Sequence, residues 1–190
     1  MTSCQILPPH ISDMLPQMRR LIAGLSVPDR VPQIEIAGGD TETVLVFRNL
    51  VELSDDDLAR LRQFSETHSV QVWLQPAGPT SAYCVHPVAA PALTYSMPEF
   101  DVTMNFRPND FTQVNIPINR VLMRRAMLLL DPQPGERIAD LFCGLGNFSL
   151  PIARSGATVI GVEGSDALVA RAAENARANG QIGRASCRER

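Results

Sequence analysis

Ile138-Ala139-Asp140-Leu141-Phe142-Cys143-Gly144-Leu145-Gly146-Asn147-Phe148 decides the fold of this 190-residue chain. Ile138 to Phe142 is a short apolar run of the kind a buried strand needs. It stops at two glycines and restarts with helical spacing through Phe148, Leu150, Ile152 and Ala153. Gly144 and Gly146 let the backbone turn tightly and approach a ligand closely. The helix start behind them offers free N–H groups and a positive dipole end. A second apolar run, Ala157 to Val162, follows and ends in an acid, Glu163. An acid at that strand tip suits the paired hydroxyls of a ribose. Strand, glycine loop, helix, strand and acid form the first half of a nucleotide-type site.

Two cofactors compete for such a site. The dinucleotide fingerprint G-x-G-x-x-G/A places a third small residue for close helix–strand packing, and Ser149 stands there. Asp140 lies on the strand that carries the glycines, where a pyrophosphate meets unfavourable like charge. A cationic sulfonium and an ammonium tolerate that acid. Asp140, Gly144, Gly146 and Glu163 therefore lean towards S-adenosyl-L-methionine rather than NAD(P).

Upstream, Asn105-Phe106-Arg107-Pro108-Asn109-Asp110-Phe111-Thr112-Gln113-Val114-Asn115 precedes a helix and then Asp140-Leu141-Phe142-Cys143-Gly144-Leu145-Gly146-Asn147-Phe148. Taken together, the two stretches resemble the RNA (uracil-5-)-methyltransferase family, over about residues 3 to 180. Within it they are most similar to the iron–sulfur-containing bacterial branch that acts on 23S ribosomal RNA. The resemblance implies an α/β protein with three parts. A small α+β central domain with an antiparallel sheet is expected over 1–110. The first βαβ part of a Rossmann-like methyltransferase domain follows over 111–180, and 181–190 reads as a non-native tail, since the alternation of strands and helices breaks off there. It also implies cofactor contacts from Gln113, Phe142 (through its backbone), Asn147 and Glu163, with Asp140, Gly144 and Gly146 shaping the loop.

Methylating C5 of a uridine requires a thiolate that adds at C6 and a base that removes the C5 proton. The family's nucleophile and base lie downstream of the cofactor loop, and no catalytic residue is assigned here. Cys143 reads as a packed loop residue, Cys84 as a lone thiol in a proline-rich loop, and Cys187 as part of the tail. Cys4-Gln5-Ile6-Leu7-Pro8-Pro9 resembles the segment holding one ligand of the family's [4Fe–4S] cluster, a group belonging to the full-length parent because a cluster needs about four thiolates. The chain is expected to be inactive alone. A non-catalytic cofactor- or RNA-binding module, or a relative acting on transfer RNA, are the alternatives.

Composition narrows the partners. Hydrophobic residues make up 45% of the chain, ample for a core, and net charge is −3. All seventeen basic residues are arginine, and no global basic field draws in nucleic acid. No long apolar run or secretory signal is visible, so the cytoplasm is the expected compartment and neither membrane nor DNA an expected partner. Along the chain, helical spacing is expected over 11–25, strands over 33–37 and 43–47 across Gly38-Gly39-Asp40, and a helix capped by Ser54. A strand over 70–74, a loop over 76–92 and a hairpin over 93–106 follow. A helix capped by Asn115, with Ile118, Leu122 and Leu129 inward, leads to the glycine loop.

Overall fold

The computed structural model describes residues 2–183 and 185–189. The chain forms two compact units, one from residues up to Gly38 and 42–91, the other from 39–41 and 92 onward.

In the first unit, two short helices, α1 (Pro9–Ser12) and α2 (Leu15–Ala23), precede the hairpin of β1 (Gln33–Gly38) and β2 (Thr43–Arg48). Helix α3 (Asp55–His68) then leads to β3 (Gln71–Gln75), and β4 (Tyr83–His86) closes the sheet in the order β1-β2-β3-β4. The sheet is mixed rather than antiparallel. β2 and β3 pair in parallel, with Leu45 opposite Val72 and Phe47 opposite Leu74. A helical crossover between neighbouring strands dictates that direction. Leu45, Phe47, Val72 and Leu74 pack with Met14, Met18, Leu61 and Phe64 of the helical layer. The segment 76–92, expected as a loop, contains β4, which pairs antiparallel with β3.

Asp57 ties the start of α3 into this core. Ser54 Oγ caps the helix by accepting from the Asp57 N–H at 3.2 Å. The Asp57 carboxylate accepts from the Ser26 N–H at 2.8 Å and from the Ser26 hydroxyl. Burial acts to raise the Asp57 carboxyl, and the hydrogen bonds from Ser26 and Ser54 outweigh it, holding it below the usual carboxylate range.

In the second unit, β5 (Leu93–Met97) and β6 (Val102–Phe106) form an antiparallel hairpin. Helix α4 (Ile116–Leu130) starts at Asn115, whose side chain accepts from the Ile118 N–H. β7 (Arg137–Leu141), α5 (Ser149–Arg154), β8 (Thr158–Glu163) and α6 (Asp166–Ala178) then make the expected βαβα run, with β7 and β8 parallel. Gly39 to Thr41 belong to this unit, because the Asp40 N–H donates to Thr94 O at 2.7 Å. A Cβ on Gly39 would lie 2.5 Å from Thr94 O, so only glycine fits that approach.

Two sequence expectations differ from the structure. The boundary falls at residues 91/92, not near 110. The hairpin joins the second unit because Asn175 of α6 and Asn179, which caps that helix, bind β6. Asn175 Oδ1 accepts from the Asn105 N–H at 2.8 Å, and Asn179 Oδ1 from the Thr103 N–H at 2.8 Å. Their amide nitrogens return to Asn105 O and Thr103 O. The inner face of α4 carries Asn119 and Met123, whereas Ile118, Leu122 and Leu129 are exposed. Within the segment read as a tail, Ala185–Glu189 runs parallel to β8 as β9. An open strand edge pairs through its main chain whatever the incoming side chains, so the lack of an apolar pattern did not prevent it. Arg184 and Arg190, like Met1, lie outside the described residues. No helix among the described residues is long and apolar enough to cross a membrane.

Asp57→Ala should lower unfolding stability by about 2–3 kcal/mol, the range for losing hydrogen bonds to a charged, buried group. Because the folded-state pKa is depressed, the carboxylate's contribution is present above its unfolded value and is lost as pH falls through the folded one. Urea titrations of both proteins at pH 7 and in mild acid should therefore show the gap closing on acidification.

Candidate cofactor site at the tips of β7 and β8

The loop leaving β7 is closed by the end of β8. Val162 O accepts from the Phe142 N–H at 2.7 Å and from the Cys143 N–H at 3.1 Å. The Glu163 carboxylate accepts from the Gly144 N–H at 3.0 Å, the Gly164 N–H at 2.8 Å and the Ser165 N–H at 3.2 Å. Gly144 and Gly146 sit at φ 53° and 93°, a region that excludes most side chains and gives both glycines their purpose. The Gly146 N–H closes the turn onto Cys143 O at 2.8 Å, and Gly146 O receives the Leu150 N–H as α5 begins.

Phe142 shares the left-handed region at φ 64°. A bulky residue there is a strained outlier, and such strain clusters at ligand sites. Its ring is 70% exposed and, with Leu141, Val162, Glu163 and Gly164, lines a crevice of about 50 Å³. Open α/β sheets take ligands in this place, outside the carboxyl ends of their strands.

Asp140 sits beneath the loop. Its Oδ2 accepts from the Ser149 hydroxyl at 2.6 Å. Burial raises the Asp140 carboxyl above its ordinary value, and the hydrogen bonds from Ser149 only partly offset that rise. Ser149 occupies the place of the third glycine in a dinucleotide fingerprint and uses its hydroxyl to hold the acid, a role that spacing alone does not reveal.

Asn147 faces inward. Its Oδ1 accepts from Tyr95 Oη at 2.9 Å and from Asn119 Nδ2 at 3.0 Å, while its Nδ2 donates to Asn119 Oδ1 at 3.0 Å. Neither Tyr95 nor Asn119 stood out in the sequence. A polar residue on a helix reads as solvent-facing, yet Asn119 is 2% exposed. The structure therefore brings Asp140, Phe142, Gly144, Gly146, Asn147 and Glu163 together around one loop. Gln113 is exposed on the segment between β6 and α4.

Two of the cysteines, Cys143 and Cys187, meet at the carboxyl end of the sheet, and the hydrogen bond between them lowers the Cys187 thiol while raising its partner. Contact with Cys187 Sγ at 3.3 Å, together with burial, pushes the Cys143 thiol up, which keeps it protonated. Burial also raises the Cys84 thiol. Cys4, in the first unit, has its N–H donated to Ser12 Oγ at 2.9 Å. No group of three or more His, Cys, Asp or Glu side chains suited to a metal occurs among the described residues. One thiol does not fit an iron–sulfur cluster on its own.

A parallel βαβ unit with a glycine-rich turn and an acid at the second strand tip defines a Rossmann-like nucleotide-binding half-site. The family model described as tRNA (Uracil-5-)-methyltransferase matches residues 92–189, just over half of the chain, and the chain belongs to that family. It is 66% identical over 184 residues to a protein of Aromatoleum aromaticum named 23S rRNA (uracil(1939)-C(5))-methyltransferase RlmD, covering 97% of this chain and 42% of the relative. A protein of the same name from Azoarcus sp. is 66% identical over 177 residues, covering 93% and 41%. The chain thus spans about two fifths of the length of these curated relatives. Among solved structures, the Pyrococcus abyssi tRNA (uracil-54, C5)-methyltransferase in complex with S-adenosyl-L-homocysteine covers 100% of this chain and 49% of its own. Its TM-score is 0.70 at 15% identity, a likeness of fold.

Two measurements check this geometry. Phe142→Gly should leave stability within about 1 kcal/mol of the parent, because relief of the left-handed strain offsets the lost contacts. A buried aromatic truncated in the same way costs about 3–5 kcal/mol, and a loss of that size would contradict the exposed placement. Second, the raised Asp140 pKa makes its contribution to stability greatest below the unfolded value and lost as pH rises through the folded one. Ser149→Ala should raise that pKa further in a carboxyl-selective NMR titration.

Proposed function

We propose that this chain provides the cofactor loop of an S-adenosyl-L-methionine-dependent methyltransferase that modifies C5 of a uridine in 23S ribosomal RNA. The observation that carries the reading is the pairing of two acids, Asp140 beneath the glycine loop and Glu163 in the lining of the crevice, where no basic side chain stands among the described residues. A pyrophosphate would meet repulsion there, whereas a sulfonium and an ammonium are attracted. When bound, S-adenosyl-L-methionine supplies a methyl group on a cationic sulfur.

The chain's own residues bind and orient. Glu163 already accepts three backbone N–H groups, and a carboxylate offers about four lone-pair sites, which leaves one for a ribose hydroxyl. Gly144 and Gly146 keep Cβ atoms out of the approach, Phe142 borders the crevice, and Asn147 with Gln113 addresses the amino-acid end. Identity of 66% to proteins named as 23S ribosomal RNA enzymes favours that substrate over the transfer RNA in the family model's description. A cytoplasmic location accords with such a substrate. In this reading Cys4 supplies one thiolate of a [4Fe–4S] cluster of the longer protein, and neither nucleophile nor base resides in this chain. Uracil-methyl transfer by the chain alone would overturn that last statement.

Calorimetric titration with S-adenosyl-L-homocysteine tests the cofactor reading. Saturable binding is expected, weakened at least about tenfold in an Asp140→Ala, Glu163→Ala variant, as for losing charge-assisted contacts. Binding of NAD(H) in preference to S-adenosyl-L-homocysteine would sink it.

A further inference from the structure

Asn147 is held more tightly than a residue of a surface loop needs to be. It and Asn119 face each other as a closed amide pair, each nitrogen donating to the other's oxygen at 3.0 Å. Tyr95 Oη completes the arrangement at 2.9 Å from Asn147 Oδ1. That oxygen now has both lone pairs filled, while Asn147 Nδ2 keeps one hydrogen uncommitted to the pair. Tyr95 and Asn119 are buried and Asn147 is half-buried on the loop that carries the glycines. Burial pushes the Tyr95 hydroxyl well above its usual pKa, so it remains a donor throughout the accessible pH range.

We infer that Tyr95 and Asn119 are positioning residues that fix the polarity of Asn147, so that it presents an N–H donor to the cofactor and no acceptor. The inference rests on the cofactor reading above and adds a specificity to it. A fixed donor favours the carboxylate of the amino-acid end and offers nothing to the ammonium. Turning the amide over would bring oxygen against oxygen and nitrogen against nitrogen across the pair unless Asn119 turned too. The Tyr95 hydroxyl could then only accept from the turned amide, which would cost its own buried hydrogen the acceptor it has on Asn147 Oδ1. The buried pair and the hydroxyl together select one orientation.

The test compares S-adenosyl-L-methionine with its decarboxylated analogue, which keeps the sulfonium and the ammonium and lacks only the carboxylate. Both are titrated into the parent chain, a Tyr95→Phe variant and an Asn119→Leu variant. The parent is expected to bind the carboxylate-bearing ligand about tenfold more tightly, the scale of one charge-assisted hydrogen bond. In the variants that ratio should fall to about threefold or less, with affinity for the decarboxylated analogue unchanged. Equal weakening of both ligands would mark Tyr95 and Asn119 as structural only, and an unchanged ratio or a parent that prefers the analogue would also overturn the inference. Tyr95→Phe keeps the buried ring, so the comparison stands even if Asn119→Leu does not fold. Failure of the parent to bind either ligand removes the cofactor reading, and the positioning role with it, whereas a change confined to the ratio bears on the positioning role alone.

Discussion

Three consecutive amide donors, those of Phe142, Cys143 and Gly144, all end on residues 162 and 163. This knot holds the half-site together. A loop with two glycines at φ-positive positions, Gly144 and Gly146, has little stiffness of its own, and without these bonds its conformation would be one among many. The tip of β8 supplies the missing constraint. Glu163 goes further by collecting the Gly164 and Ser165 N–H groups as well, which binds the exit of β8 to the entrance of α6. One carboxylate thereby fixes two loops while lining the crevice.

Four side-chain amides, two of them buried, tie the second unit together. Asn119, Asn147, Asn175 and Asn179 join α4, the glycine loop and α6 to the β5–β6 hairpin. Each is satisfied by a partner of matching polarity, which is the condition under which a buried polar network rigidifies a fold instead of weakening it. Asn175, fully buried, also donates to Leu145 O at 3.3 Å, so α6 reaches the glycine loop as well as the hairpin.

Much of this was legible before any coordinates. Ser54 and Asn115 announced their helix starts by residue type, and the strand, glycine and acid spacing announced the βαβ run. What escaped did so for physical reasons. Apolar residues surround α4 on nearly every side, so helical periodicity could not select a face, and the polar Asn119 was chosen for burial by its partner Asn147. β4 lies among prolines and glycine that punctuate loops, yet its four residues need only one neighbouring strand to pair. The parallel β2–β3 ladder follows from the crossover helix α3, which lets the chain return to pair in the same direction, whereas the neighbouring hairpin signals point to antiparallel pairing. Local signals identify elements; partners decide faces and boundaries.

The two amides that α6 lends to β6 carry a limit within their geometry. Asn175 and Asn179, the latter at the helix cap, are four residues apart, a helical rise of about 6.0 Å. Thr103 and Asn105 are two residues apart on a strand, about 6.8 Å. The two repeats nearly match, and the side chains absorb the difference across two rungs. A third rung would accumulate roughly 1.6 Å of error, about half a strand residue, and lose its bond. Helix and strand therefore act as a vernier that agrees at a single setting, so that sliding α6 by one turn or β6 by one residue pair would sacrifice a rung.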